Sequence, residues 1–231
     1  MHTMRIGVII PTRNDRPDFV QHLIEVQIPA QTRQPDKIYL MDSSMIKPGK
    51  NVVDLPERFV IGMQQAAIDD MERIYIMEDD DYYPDDYLTW GGDKKIDFLG
   101  YEKSVYYHLF RQMYRTIEHK DRSSLFCTAF DLCAGNGYVT WLKRNWSVMS
   151  QNPWLDIKLW EFAKACQYRR AFIKPDSIPI GIKHGLGFCA GKGHQEYFMY
   201  NKKDYAYRYL KEHTRPESFE FYIEMIEKYV T

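Results

Sequence analysis

Apolar residues along this chain alternate between short unbroken runs and helical stripes. Residues 5–11 (Arg-Ile-Gly-Val-Ile-Ile-Pro) form a run of strand length, of the kind that fills a strand buried on both faces. The turn formers and N-cap candidates Pro11, Thr12, Arg13, Asn14 and Asp15 punctuate it. Phe19, Val20, Leu23, Ile24 and Ile28 then recur at helical spacing up to Pro29. After a turn at Gln34-Pro35-Asp36, residues 37–42 predict a second strand that ends in Asp42. Residues 43–56 are polar, carry Pro48, Gly49 and Pro56, and predict a loop. Phe59, Met63, Ala66 and Ala67 mark a helix from Glu57 that leads into a third strand at Ile74, Tyr75, Ile76 and Met77. The order β-α-β-α-β argues for a parallel sheet with right-handed crossovers.

The pattern changes after Leu88. Trp90-Gly91-Gly92 breaks it, residues 96–100 are strand-like, and 104–117 mix Val, Tyr, Phe and Thr as antiparallel strands do. Residues 125–130 read as a further strand, 134–137 as a glycine loop, and order resumes over 138–146. Asn152-Pro153 is a helix-start signal, with Asn as N-cap and Pro first in the helix. Leu155, Leu159, Phe162, Ala163 and Cys166 share one face of that helix. Short apolar segments at 171–174 and 178–183 precede a glycine-rich loop over 184–194, and helices are expected near 203–213 and 216–229. No internal repeat or linker divides the chain, so a single domain over 1–231 is expected.

The stretch with the most chemistry follows the third strand. Glu78, Asp79, Asp80 and Asp81 stand in a row, and Pro84 then stops the strand and is suited to start a helix. A buried strand ending in clustered acids places negative charge at the carboxyl edge of the sheet, where open α/β sheets bind ligands. Adjacent carboxylates repel unless a cation sits between them, and hard oxygen donors suit Mg²⁺ or Mn²⁺, with a diphosphate completing the coordination. The plainer reading is a solvated acidic turn that caps a helix. His184, between a strand-like run and the glycine-rich loop, is a candidate ligand. Asp156 falls in the first turn of its helix, where an acid also simply complements the dipole, and Arg58 opens the helix before the acidic strand. Gly185-x-Gly187-x-x-Ala190 imitates a dinucleotide fingerprint, but helices and no βαβ unit follow it, so it is set aside.

Composition narrows the classes. Apolar residues at 45% and charged residues at 27% describe an ordinary globular chain, and a net charge of −1 offers no overall attraction to nucleic acid or membrane. The four cysteines show no zinc spacing and read as reduced, mostly buried thiols. No run approaches the ~20 apolar residues that span a bilayer, and no signal peptide is visible, so a cytoplasmic protein without membrane insertion is expected.

Taken together, Val8-Ile-Ile-Pro-Thr-Arg-Asn14, the strand ending at Asp42, Arg58 before its helix, and Met77-Glu-Asp-Asp-Asp-Tyr-Tyr-Pro84 resemble the nucleotide-binding half of GT-A glycosyltransferases, nearest to the family-2-like group. The resemblance covers about residues 5–195. It implies an α/β GT-A fold with a mostly parallel central sheet flanked by helices and a small antiparallel acceptor-side extension. The nucleotide-sugar half would span about 4–100, the acceptor half about 101–195, and C-terminal helices about 200–231. It further implies that Pro11, Thr12, Arg13, Asn14, Asp15, Asp42, Arg58, Asp79 and Asp80 hold the donor, a UDP-sugar by expectation. Asp79, Asp80, Asp81 and His184 would bind the Mn²⁺ or Mg²⁺ that grips the diphosphate, with the register of the acidic motif open. Gly135, Asn136, Gly137 and Trp154 would face the acceptor, and Asp156 would act as the base of an inverting transfer. In the family the catalytic motif commonly reads Glu-Asp; here Leu155 replaces the Glu.

Two other classes stay open at this point: a non-catalytic nucleotide-sugar or carbohydrate-binding module on the same fold, and a phosphotransferase, which the lack of a Gly-x-x-x-x-Gly-Lys loop disfavours. The acceptor is a glycan or a modified nucleic-acid base. Tyr106, Tyr107, His108, Arg111, Tyr114, Arg115, His119, Lys120 and Arg122, with a second run at Tyr205, Tyr207, Arg208, Tyr209 and Lys211, interleave rings and cations as a base-stacking face does, though polar sides of ordinary strands and helices look the same.

Overall fold

The opening apolar run becomes β1 (Ile6–Thr12), buried along its whole length in the computed structural model. The structure describes residues 3–12, 15–42, 54–92, 95–150, 152, 154–174, 176–184 and 201–230. After β1 come α1 (Pro17–His22), β2 (Lys37–Asp42), α2 (Leu55–Ile68), β3 (Arg73–Ile76), β4 (Phe98–Tyr101), β5 (Lys103–His108), β6 (Met113–Glu118) and β7 (Ala129–Asp131). The chain continues through α3 (Leu132–Arg144), α4 (Trp146–Met149), α5 (Leu155–Ala165), β8 (Arg170–Ile173), β9 (Ile180–Lys183), β10 (Lys202–Lys203), α6 (Arg208–His213) and α7 (Pro216–Val230).

Six strands form the central sheet in the order β2-β1-β3-β7-β4-β8. β1 pairs in parallel with β2 and β3, and β4 in parallel with β8, while β7 runs antiparallel to both β3 and β4. One reversed strand in an otherwise co-directional sheet agrees with the expected α/β class. Ile9, Ile74, Ile76, Phe98 and Phe130 face one layer with residues of α2, α3 and α5. Val8, Ile10, Tyr75, Met77 and Leu99 face the other, against Leu23, Ile28 and the rings of Tyr83, Tyr87 and Trp90. Burial on both faces is why these strands read as continuous apolar runs and not as alternation.

A second, four-stranded sheet has the order β10-β6-β5-β9. The β5–β6 hairpin is antiparallel, as its Val/Tyr/Thr pattern predicts, whereas β9 lies parallel to β5. Its third core, with Val105, Tyr107, Ile180 and Ile182, is covered by Leu210, Tyr222 and Met225 from α6 and α7. Tyr82 and Ile180 exchange backbone hydrogen bonds of 2.9 and 3.0 Å. This bridge lays β9 against the turn that follows β3, which matters for the site.

Several expectations are corrected. The segment with Gly135, Asn136 and Gly137 is not a loop but part of α3. Gly135 is there for packing: a Cβ would stand 2.5 Å from Met63 Cε and 2.7 Å from Phe130 Cε2. Close approach of helix to sheet outweighs the weak helix propensity of glycine. Pro84 does not open a helix; a turn and a single 3₁₀ turn over Tyr87–Thr89 follow it. α5 begins at Leu155 with Trp154 at its N-cap, and Asn152 accepts a hydrogen bond from the Trp154 N–H (2.8 Å) instead of capping the helix itself. The thiols are not mostly buried: Cys127 is, but Cys133 and Cys166 are exposed, and Cys189 lies outside the described residues. The described residues contain no helix long and apolar enough to cross a membrane.

Candidate active site at the carboxyl edge of the sheet

Asp79, Asp80 and Asp81 are all buried, so the solvated-turn reading does not hold. Two glutamines four residues apart in the chain fasten the backbone of this acidic turn. Gln27 donates to the Asp81 carbonyl (3.1 Å) and accepts from the Tyr83 N–H (2.8 Å). Gln31 donates to the Pro84 carbonyl (2.9 Å) and accepts from the Leu88 N–H (3.2 Å). With its backbone groups satisfied in this way, the segment has no reason to turn helical after Pro84.

The three side chains diverge. Asp79 accepts from Thr12 Oγ1 (2.7 Å) at the end of β1 and from Arg16 Nη2 (2.6 Å). Asp80 accepts from Arg16 Nη1 (2.6 Å), and the same oxygen lies 3.1 Å from His184 Nε2. Asp81 accepts the backbone N–H of Ile182 (2.8 Å), with Lys183 Nζ 3.5 Å away. The charge that the acids lack nearby in sequence therefore comes from both ends of the chain. Pro17 keeps Arg16 out of helical geometry at the start of α1, and the bridge at Tyr82–Ile180 brings Lys183 and His184 over the acids.

Electrostatics follow from this pairing. Burial pushes Asp81 well above the usual carboxylate range, against Lys183. Burial also raises Asp79, opposed by Arg16. At Asp80, burial is outweighed by Arg16, Lys183 and His184, which hold this carboxyl below its ordinary value. Arg16 and Lys183 are raised despite their burial, by Asp80 and Asp79 in the first case and by Asp81 and Asp80 in the second. Asp80 is thus the carboxylate most firmly ionised.

Around this cluster, Asp42 stands opposite Thr12 in the β1–β2 register, at the same edge of the sheet. Pro11 pairs with Met41 one step inside, and Asp15 is 3.9 Å from Arg16 Nε. Arg13, Asn14 and the loop over 185–194 lie outside the described residues. Arg58 is a buried cation, paired with Asp54 (2.8 Å) one turn back in α2. Asp156, in the first turn of α5, lies 3.2 Å from Arg122 Nη1. Burial raises its pKa against the N–H groups of Ile157 and Asp156 and the charge of Arg122, so the helix end does not hold it low as its position in sequence suggests. Its charge is also felt at Glu78 and at the half-buried Tyr106. Trp154, two residues before it, is 50% exposed.

The two ring-and-cation stretches do not form one stacking face. Tyr107, His108 and His119 are buried. Tyr114 stacks on Tyr209 (3.9 Å) and Tyr209 on His213 (4.0 Å), so these rings are spent on one another.

For a divalent ion, the donor set is mixed. Cis ligands on an octahedral ion at about 2.1 Å stand about 3 Å apart, which is the separation of Asp80 Oδ2 and His184 Nε2. Carboxylate oxygens suit Mg²⁺ or Mn²⁺, whereas an imidazole is a donor of softer transition metals, so the mixed pair favours Mn²⁺ over Mg²⁺. Asp79 adjoins them through the shared Arg16, whereas Asp81 is engaged with β9, and no group of three such ligands converges on one point among the described residues. Asp80 and His184 therefore stand as a two-donor pair on which an ion fits, with Asp79 beside them and Asp81 turned towards β9. Sequence reading missed Arg16, Lys183 and Gln27, and named Arg122 only as part of a ring-and-cation face. Arg16 alone carried a signal, as the cation closing the Pro11–Asp15 turn.

No protein-family model matches this sequence, and no curated protein matches it. Among solved structures, the chain is similar to "crystal structure of a glycosyltransferase involved in the glycosylation of the major capsid of PBCV-1", at 13% identity over 75% of this chain and 84% of that one, with a TM-score of 0.43. It is also similar to "Crystal Structure of A197 from STIV", at 12% identity over 74% of this chain and 82% of that one, with a TM-score of 0.39. Likenesses at these scores carry no inference about function.

Proposed function

We propose that this protein is a metal-dependent GT-A glycosyltransferase that moves a sugar from a nucleoside diphosphate sugar, of the UDP class, to an acceptor hydroxyl with inversion. The observation that carries the reading is the meeting of Asp80 and His184, 104 positions apart, at 3.1 Å beside the carboxyl end of β3. Open α/β sheets bind ligands at that edge, and Thr12 and Asp42 stand there to face a nucleoside.

Asp79, Asp80 and His184 would hold Mn²⁺ or Mg²⁺, whose chemistry there is to offset charge on the departing diphosphate as a Lewis acid. Asp156 takes the proton of the acceptor hydroxyl as the acceptor oxygen bonds to the anomeric carbon and the bond from that carbon to the diphosphate breaks. Its raised pKa makes the carboxylate a stronger base, and Arg122 favours its ionised form. Half-exposed Trp154 offers a ring on which an acceptor sugar or base can stack.

The test is calorimetric titration of UDP with Mn²⁺ present or chelated, followed by sugar transfer from a panel of UDP-sugars. UDP is expected to bind only with the ion, and Asp80→Asn to abolish that dependence while leaving the fold intact. Undiminished Mn²⁺-dependent UDP binding by Asp80→Asn overturns the assignment.

A further inference from the structure

The guanidinium of Arg16 sits where a cation is expected. Its two terminal nitrogens each hold a different carboxylate, Asp80 and Asp79, both at 2.6 Å. Asp80 Oδ2 also faces His184, so the two lone pairs of that oxygen are already engaged. An ion taking Asp80 and His184 as ligands competes with Arg16 for the same oxygen. A second, independent feature concerns the third donor of the same side chain. Arg16 Nε is buried and finds no hydrogen-bond acceptor among the described residues, and the Asp15 carboxylate is too distant at 3.9 Å. A guanidinium is a planar fork matched to phosphate oxygens, and a buried donor left unpaired is costly until a ligand supplies an acceptor.

From these two observations we infer that Arg16 is the resident counter-ion of the cation site, and that an incoming diphosphate takes it over. Without ligand, Arg16 neutralises Asp79 and Asp80. When a nucleoside diphosphate arrives, its phosphate oxygens accept from the guanidinium, beginning at the unspent Nε, and the carboxylates pass to the divalent ion. Ion and diphosphate together bring nearly cancelling charge: the divalent cation replaces Arg16 at the acids, and the released guanidinium has an anion to pair with. Ion and diphosphate therefore bind with positive coupling, each removing the obstacle to the other, and by linkage the coupling is reciprocal. This inference rests on the metal-dependent reading above and adds to it a residue that sets the order and strength of binding.

The experiment is Mn²⁺ titration calorimetry on the full chain, with and without saturating UDP, for the parent, Arg16→Gln and Arg16→Lys. In the parent, UDP is expected to tighten Mn²⁺ binding by about 5-fold or more, the lower end of usual coupling. In Arg16→Gln, Mn²⁺ alone should bind at least about 5-fold tighter than to the parent, and UDP should add little. Arg16→Lys, which keeps the charge and loses the fork, should fall between them. Because Arg16→Gln leaves buried acids without their cation, its thermal midpoint is measured too, and Mn²⁺ should raise it more than it raises the parent's. A purely structural arginine gives a destabilised variant whose Mn²⁺ affinity and midpoint shift match the parent's, and that result overturns the inference while leaving the metal site standing. Absence of Mn²⁺ binding to parent and variants alike, with or without UDP, overturns both.

Discussion

Arg122 Nη1 lies 3.2 Å from Asp156 Oδ2 at the start of α5, yet the Asp156 carboxyl remains raised because burial outweighs that pairing. A carboxylate raised on folding adds stability below its unfolded value, near 3.8, and that stability is lost as pH rises through the folded value. Ionised Asp156 is therefore a liability at neutral pH, of the kind kept for chemistry. Asp156→Asn is expected to be no less stable than the parent at pH 7, with any advantage vanishing below about pH 4. It should bind UDP and Mn²⁺ normally and lose transfer by about 100-fold or more, as for a missing base. Thermal midpoints across pH and initial rates check both parts. A variant that transfers sugar within a few-fold of the parent excludes Asp156 as the base. Glu161, further along α5, is exposed and paired with Lys158, so it offers no replacement.

Asp81 and Asp80 are neighbours with separable consequences. Asp81 meets Lys183 and the Ile182 N–H, so its work is to anchor β9. Asp81→Asn keeps an acceptor for that N–H but leaves the buried Lys183 short of its partner, a loss of about 3–5 kcal/mol where buried pairs are broken. The double variant Asp81→Asn/Lys183→Met should recover much of it, because the two changes are coupled. Denaturant unfolding measures the cycle. Additive losses would mean that the pair does not interact.

Gly135→Ala pits helix propensity against space. The methyl gains about 1 kcal/mol of propensity, but it meets Met63 and Phe130 inside 3 Å, and overpacking costs about 1–3 kcal/mol. Net destabilisation is expected. At Gly137 the methyl meets the tip of Tyr168 at 2.7 Å, the end of a partly exposed side chain that has room to give, so Gly137→Ala should cost less. If Gly137→Ala costs more stability than Gly135→Ala, the packing explanation of these glycines is wrong.

His22 stacks on Phe221 at 4.1 Å and lies 3.0 Å from Ser218 Oγ, so it joins α1 to α7. Burial, with help from Arg215, lowers its pKa to about 4. A depressed imidazole contributes stability above the unfolded value of 6.5 that is lost as pH falls towards 4. The midpoint of the parent should drop across that window, and that of His22→Gln should drop less. An unchanged pH response in the variant removes His22 from the account. Because α7 spends its apolar side on the protein, through buried Tyr222 and Met225, the chain should not sediment with anionic vesicles at physiological salt.

What the sequence determined by itself is whatever depends on local pattern. The β-α-β-α-β opening, the β5–β6 hairpin, the acidic turn after β3 and the stripe of α5 all follow from periodicity and punctuation, which act within a few residues. Pattern put the acids at the carboxyl edge of the sheet and marked His184 as a candidate, but the gathering of Asp80, His184, Asp42 and Thr12 in one site was anticipated only through a family resemblance. Tertiary structure alone decided what neutralises the acids, because Arg16 and Lys183 reach them across 63 and 102 positions in the chain. It also decided that the Gly135 segment is helical, since close packing on Phe130 overrides propensity, and that β7 reverses within the sheet. Asp81 was indistinguishable from its neighbours in sequence; adjacent residues in a turn point apart, and only the arrival of β9 singles it out as an anchor.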